Sequence, residues 1–210
     1  MKQLDIDNWY KSKIDKKVYK QLTKRSDWQG LKHVSVWIFF LILSGYIAYL
    51  SWGTWWAIPA FLVYGNIFMA CNPVWHECGH RTAFKTRWLN ELFYHIGSFL
   101  YNFEPVRWRW SHFHHHSYTL HTNPYDYEVQ VTKPTDLFYV FLMHLPGGNL
   151  LLIFKGILSF HWETIKHAVG ITTPVMKDCI PKNERSKCRF YSRLHISIWL
   201  LIIVYSIFIF

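Results

Sequence analysis

The sequence predicts an all-α integral membrane protein whose histidine-bearing helices lie on the cytoplasmic side. Three observations predict it. The 210 residues are 51% hydrophobic and 20% aromatic but only 17% charged, about two-thirds of the charge usual in soluble domains. Val34 to Leu50 runs without a charged side chain, near the lower length limit for a spanning helix. Nine of the 23 Lys and Arg precede His33, none lies between Lys32 and Arg81, and the rest follow. That segregation is the pattern of a membrane protein with its basic segments on one side. It also excludes nucleic acid as the partner behind the formal net charge of +10, because no continuous basic face is left for a phosphate backbone.

Residues 1–33 form a basic cytoplasmic arm or an interfacial helix. Ile14, Val18 and Leu22 recur every fourth position among Lys13, Lys16, Lys17 and Lys20, which suits one helix face against lipid. A solvated basic arm drawn to anionic lipid is the other reading. No secretory signal is expected, since the apolar run starts late and no cleavage pattern follows.

Residues 34–210 form the second unit: a transmembrane hairpin 34–75, a cytoplasmic-side region 76–194 and a third span 195–210. Gly53 permits the hairpin turn, and Trp52, Trp55 and Trp56 suit a water–lipid interface. The outer loop is uncharged and both flanks are basic, so the N-terminus and everything after Trp75 belong in the cytoplasm. Trp88 to Phe103 is too polar to span and reads as a helix lying on the membrane or re-entering it. Residues 136–160 are broken by Pro146, Gly147 and Gly148, which predicts two short helices. Residues 177–193 are polar and basic, and Ile196 to Phe210 opens a fresh apolar run. Cys71, Cys78, Cys179 and Cys188 form no CxxC pair and read as reduced packing residues.

Two stretches are chemically unusual. His112, His114, His115 and His116 fall within five residues, and each buried imidazole brings two nitrogens that need partners. On a helix His112, His115 and His116 share one face while His114 points elsewhere. Upstream, His76-Glu77-Cys78-Gly79-His80 puts two more imidazoles one turn apart. Five imidazoles exceed a single zinc site, so the count points to more than one metal ion, without naming the metal. Glu77, Asp126 and Glu128 are candidates to orient the rings from behind. His95, His121, His144, His161 and His167 read as surface or core histidines.

HECGH followed some thirty residues later by HFHHH, each beside membrane segments, resembles the membrane-bound fatty acid desaturase family. Its members carry boxes HxxxH, HxxHH and a later HxxHH. The first two match His76 with His80, and His112 with His115 and His116. The resemblance implies a cytoplasmic-face centre of two non-haem iron ions ligated by His76, His80, His112, His115 and His116, with O2 as co-substrate. It also implies an external electron donor of ferredoxin or cytochrome b5 type, and a fatty acyl substrate held in membrane lipid. Removing hydrogens from an unactivated acyl chain requires a metal-bound oxidant, and an apolar tunnel must hold one methylene beside it. His144-Leu145-Pro146-Gly147-Gly148 loosely matches the HPGG haem motif of fused cytochrome b5 domains, but Leu145 breaks it, so electrons are expected from a separate protein. A basic surface would attract an acidic one.

Sister hydroxylases and monooxygenases carry the same boxes and remain an alternative. HECGH also fits the zinc protease pattern with Glu77 activating water, but that leaves three clustered histidines idle. A membrane metal-binding or transport protein would place polar residues within its spans, and Val34 to Leu50 offers only serine and tyrosine. No second HxxHH follows His116, and the terminal apolar run is about fifteen residues, short of the roughly 20 that cross a bilayer. The expectation is therefore a C-terminally incomplete enzyme, matching the N-terminal two-thirds of the family pattern. Alone it would bind iron weakly and lack desaturase activity.

Overall fold

The computed structural model describes residues 12–101, 103–119, 121, 126–128, 133–134, 137–138 and 157–209. Among them every regular element is helical, and no strand occurs. The first 11 residues of the basic arm, His144 with its Pro-Gly-Gly sequel, and 139–156 of the predicted pair of short helices lie outside the described residues.

Helix α1 (Lys16–Leu22) is capped by Asp15, whose carboxylate accepts from the amides of Lys17 and Val18 at 2.8 and 3.0 Å. Helix α2 (Asp27–Leu50) has 24 residues, about 36 Å at 1.5 Å per residue, enough to cross the hydrocarbon core. Gly53, at φ 79°, turns the chain, and Trp52, Trp55 and Trp56 stand exposed around it. Helix α3 (Ala57–Met69) and helix α4 (Cys71–Gly79) return. They are offset at Ala70 because Pro73 has no N–H for the Met69 carbonyl and its ring would clash there. One turn earlier, the Ile67 carbonyl accepts from Trp37 Nε1 at 2.9 Å, which binds the hairpin together.

Helix α5 (Arg87–Leu100) follows a turn held by a buried amide. Asn90 accepts from Phe84 N and donates to the carbonyls of Phe84 and Thr86. Its 14 residues reach about 21 Å, too short to span; Tyr94, Gly97 and Ser98 face inward while Trp88, Leu92 and Ile96 face out. Helix α6 (Pro105–Tyr118) starts with proline at its first position and Glu104 as cap, a start that costs no hydrogen bond.

Helices α7 (Ile157–Ala168) and α8 (Pro174–Cys179) and the 3₁₀ turn Lys182–Glu184 lead into helix α9 (Arg185–Ile209). Here the structure corrects the sequence expectation. The second half of the basic stretch, from Arg185, and the apolar run belong to one helix of 25 residues, whose early cations find partners in neighbouring segments. Arg193 Nε donates to the Ala168 carbonyl at 2.8 Å, and Arg189 Nη2 donates to Thr172 Oγ1 at 3.0 Å. Among the described residues three helices are long and apolar enough to cross a membrane: Lys16–Leu50, Ala57–Gly79 and Lys182–Phe208. The core that positions the histidines is Val34, Trp75, Cys78, Phe84, Tyr94 and Trp108. All four cysteines are buried and unbridged.

Candidate metal centre

His76 closes α4, and His80 is its C-cap residue one turn on. His112 and His116 are likewise one turn apart on α6. The two helices meet through indoles: Trp75 and Trp108 lie 4.0 Å apart between centroids, and Trp108 stacks on the His112 ring at 4.3 Å and 13°.

The result is a convergence of four ring nitrogens. His112 Nε2 lies 3.2 Å from His76 Nε2, 3.1 Å from His80 Nε2 and 3.0 Å from His116 Nε2. His76 and His80 are 3.1 Å apart, and all four nitrogens fall within 4.8 Å of one another. Behind His112, Glu128 Oε2 accepts from Nδ1 at 2.8 Å. That fixes the proton on Nδ1 and leaves Nε2 with one lone pair facing three neighbours. One lone pair cannot accept from all three, so hydrogen bonding among the imidazoles does not satisfy the cluster. A divalent cation does: bonds of about 2.0–2.1 Å place adjacent nitrogens about 3 Å apart. Ligation requires neutral rings, and burial favours that form at His80 and His116. Burial, then His112 and its neighbours, pushes His80 down to about 4, and burial with His112 and His115 lowers His116.

His115 is placed differently. Its Nδ1 is held by Asp126 Oδ2 at 2.8 Å, and Asp126 is buried and also accepts from Glu128 N. The His115 ring lies beside His112, 5.5 Å between centroids, outside the group of four. His114 leaves this face and packs on Tyr118. Glu77 departs from its expected place: one residue past His76 it points around the helix, accepting from Thr82 Oγ1 at 2.6 Å, and makes no bond to a ligand ring among the described residues.

Two features escaped the sequence reading. Glu91 accepts from Arg81 Nε at 2.7 Å and from Arg109 Nη1 at 3.0 Å, joining the residue after His80 to one a turn before His112. Burial raises the Glu91 carboxyl, but the two guanidiniums outweigh it and hold it below the ordinary value. Arg81 stands at φ 60° to make this contact, and Arg109 stacks over the Tyr94 ring at 4.1 Å. The second feature is a buried chain in which Cys188 Sγ reaches Glu104 Oε2 at 3.1 Å and His167 Nδ1 at 3.5 Å, while His167 Nε2 meets Thr173 Oγ1 at 2.8 Å. Its groups satisfy one another, which suits a polar tie between α6, α7 and α9. His95 and Tyr191 stack at 4.7 Å, and His121 is exposed.

A family model described as Fatty acid desaturase matches residues 53–210. Over 140 residues, 63% of this chain and 37% of the relative, the chain is 31% identical to the sn-1 oleoyl-lipid 12-desaturase of Synechocystis sp.. It is 30% identical over 57% of its length to 31% of the Delta(12) fatty acid dehydrogenase of Crepis alpina. It is 32% identical over 44% of its length to 29% of the sn-1 acyl-lipid omega-3 desaturase (ferredoxin) of Nostoc sp.. The chain thus spans about a third of the length of the curated relatives it matches. No solved structure matches it.

Proposed function

The chain belongs to the fatty acid desaturase family, and from that premise we propose that its histidine clusters belong to a di-iron centre that uses O2 to introduce a double bond into a fatty acyl chain. The observation that carries this reading is the meeting of four imidazole nitrogens from the two boxes within 4.8 Å of one another. His76, His80, His112 and His116 would hold one iron, and His115 would serve a second. When bound, the irons supply the O2-derived oxidant that an unactivated C–H bond requires.

What the chain's own residues contribute is placement. Glu128 and Asp126 fix the protons of His112 and His115 on Nδ1 and orient both rings. An all-imidazole donor set leaves the metal charge uncompensated and the site electrophilic. Trp75 and Trp108 pack against the clusters and exclude water from one side. Three helices suited to spanning support a membrane location, with the centre on the cytoplasmic face by the charge rule. The substrate class is a fatty acyl lipid, and the electrons come from a separate donor of ferredoxin or cytochrome b5 type. The zinc protease reading loses support because Glu77 bonds Thr82, away from the four nitrogens.

Metal content is the first measurement. Iron added at equilibrium should bind the wild-type protein, and its affinity should fall sharply in His112→Ala. Product analysis belongs in the native cell, where His112→Ala in the genomic copy should remove a class of unsaturated acyl chains. Loss of hydroxylated lipids instead would favour the hydroxylase, and an unchanged lipid profile would remove both.

A further inference from the structure

A cavity of about 720 Å³ lies between α5, α6 and α9, and none of the four imidazoles lines it. Its volume is that of a small-molecule site and is too small to seat a protein. Four cations line it: Arg81, Arg87, Arg109 and Lys187, with Trp110 and Tyr191 as aromatic walls.

Two carboxylates, Glu91 and Glu184, stand against these four cations. Glu91 is shared by Arg81 and Arg109, and Glu184 is taken by Lys187 at 2.8 Å. Arg87 makes no ion pair among the described residues. Arg109 keeps Nε and Nη2 shielded from water with no hydrogen-bond partner in the structure. Two guanidiniums with spare donors and an ammonium call for an anion with several oxygens in a compact array, the pattern a phosphate presents.

The position of the cavity says where such a phosphate comes from. Tyr191 lies on the polar turns of α9, and the exposed apolar side chains Leu200 to Phe208 begin about two turns further along the same helix. Phe113, which lines the cavity, and Trp88, next in sequence to the lining Arg87, stand exposed. The cavity therefore sits where a helix passes from lipid to water, at the level of the headgroups. We propose that it is a binding site for the phosphate of an anionic glycerophospholipid. Arg81 follows His80 and Arg109 precedes His112 by one turn, so a lipid held here lies close behind both histidine clusters. The site stands whatever chemistry those clusters perform.

The test is lipid binding by the full chain in detergent, by native mass spectrometry and thermal shift. Phosphatidylglycerol should bind at least tenfold more tightly than phosphatidylcholine. Arg87→Ala and Lys187→Ala, both at exposed side chains, should each weaken that preference several-fold with unchanged iron content. Lys24→Ala and Arg25→Ala, outside the cavity, should leave it intact. Equal losses from all four variants mean diffuse attraction to negative charge and overturn the site. Competition by glycerol 3-phosphate at equal concentration assigns the cavity to a soluble phosphate ester and overturns the lipid. No lipid preference, with only an acidic protein retained, overturns it as well.

Discussion

Gly79 and Trp108 approach so closely that a Cβ on the glycine would lie 2.5 Å from the indole Cζ3 and 3.1 Å from Tyr94 Cε2. The glycine inside the first histidine cluster is therefore one point at which α4 and α6 touch, and the contact bears on the distance between the two pairs of histidines. Gly79→Ala must push the indole away from His112. The expected cost is about 1–3 kcal/mol from overpacking, with a fall in metal affinity. Thermal melting and metal titration on the same sample would show both; an unchanged affinity would mean that Trp108 does not govern the ligand spacing.

Glu91 ties the same two segments from the other side. Glu91→Gln leaves both guanidiniums short of a charge, and the expected loss is about 1–2 kcal/mol, since Arg81 is partly exposed and screened. Removing either arginine alone should cost less, because Glu91 keeps the other. A double-mutant cycle on melting temperature measures the coupling, and additive effects would remove the clamp.

Glu128→Gln and Asp126→Asn address the ring orientation. Each should weaken metal binding by about 10–100-fold while leaving the fold intact, and His114→Ala should change it little. His115→Ala should lower the metal stoichiometry rather than the affinity of the site formed by the other four. Metal analysis at equilibrium separates these patterns, and a uniform effect of all substitutions would deny any division of labour among the histidines.

Glu104 gives a pH dependence. Burial raises its carboxyl from the ordinary 4.5 to about 7, against the pull of the Arg107 amide, the Cys188 thiol and the Val106 amide. A carboxyl that binds its proton more tightly when folded contributes stability below the unfolded value. That contribution is lost as pH rises from 4.5 to about 7, by at most about 1.4 kcal/mol per unit. His80 and His167, both pushed down to about 4, act with the opposite sign over this window. The Glu104 contribution is therefore read as the melting temperature of the wild type minus that of Glu104→Gln, a difference that should fall as pH rises. A rise through the same window would reverse the assignment.

Topology is open to labelling. Cysteines placed at Thr54 and Thr119, both exposed, should behave oppositely on intact cells, the first reacting with an impermeant reagent and the second protected. The reverse pattern would invert the orientation drawn from the basic residues.

Much of the molecule was legible because its rules are local. The uncharged runs, the tryptophan turn at Gly53 and the four-residue spacing in each cluster follow from chain geometry and solvent alone. Those features pointed to an all-α membrane protein with a pair and a trio of imidazoles on helix faces. Periodicity could not say which rings meet. His115 shares a helix face with His112 and His116, yet its ring, held at Nδ1 by Asp126 eleven residues downstream, keeps its nitrogens outside the group of four. Only the tertiary structure decides that competition, because a ring turns toward whichever partner the surrounding packing delivers. The same holds for Glu91, unremarkable in sequence until α4 and α6 bring two arginines to it, and for Arg189 and Arg193, whose partners on neighbouring segments let a polar stretch and an apolar run become one helix.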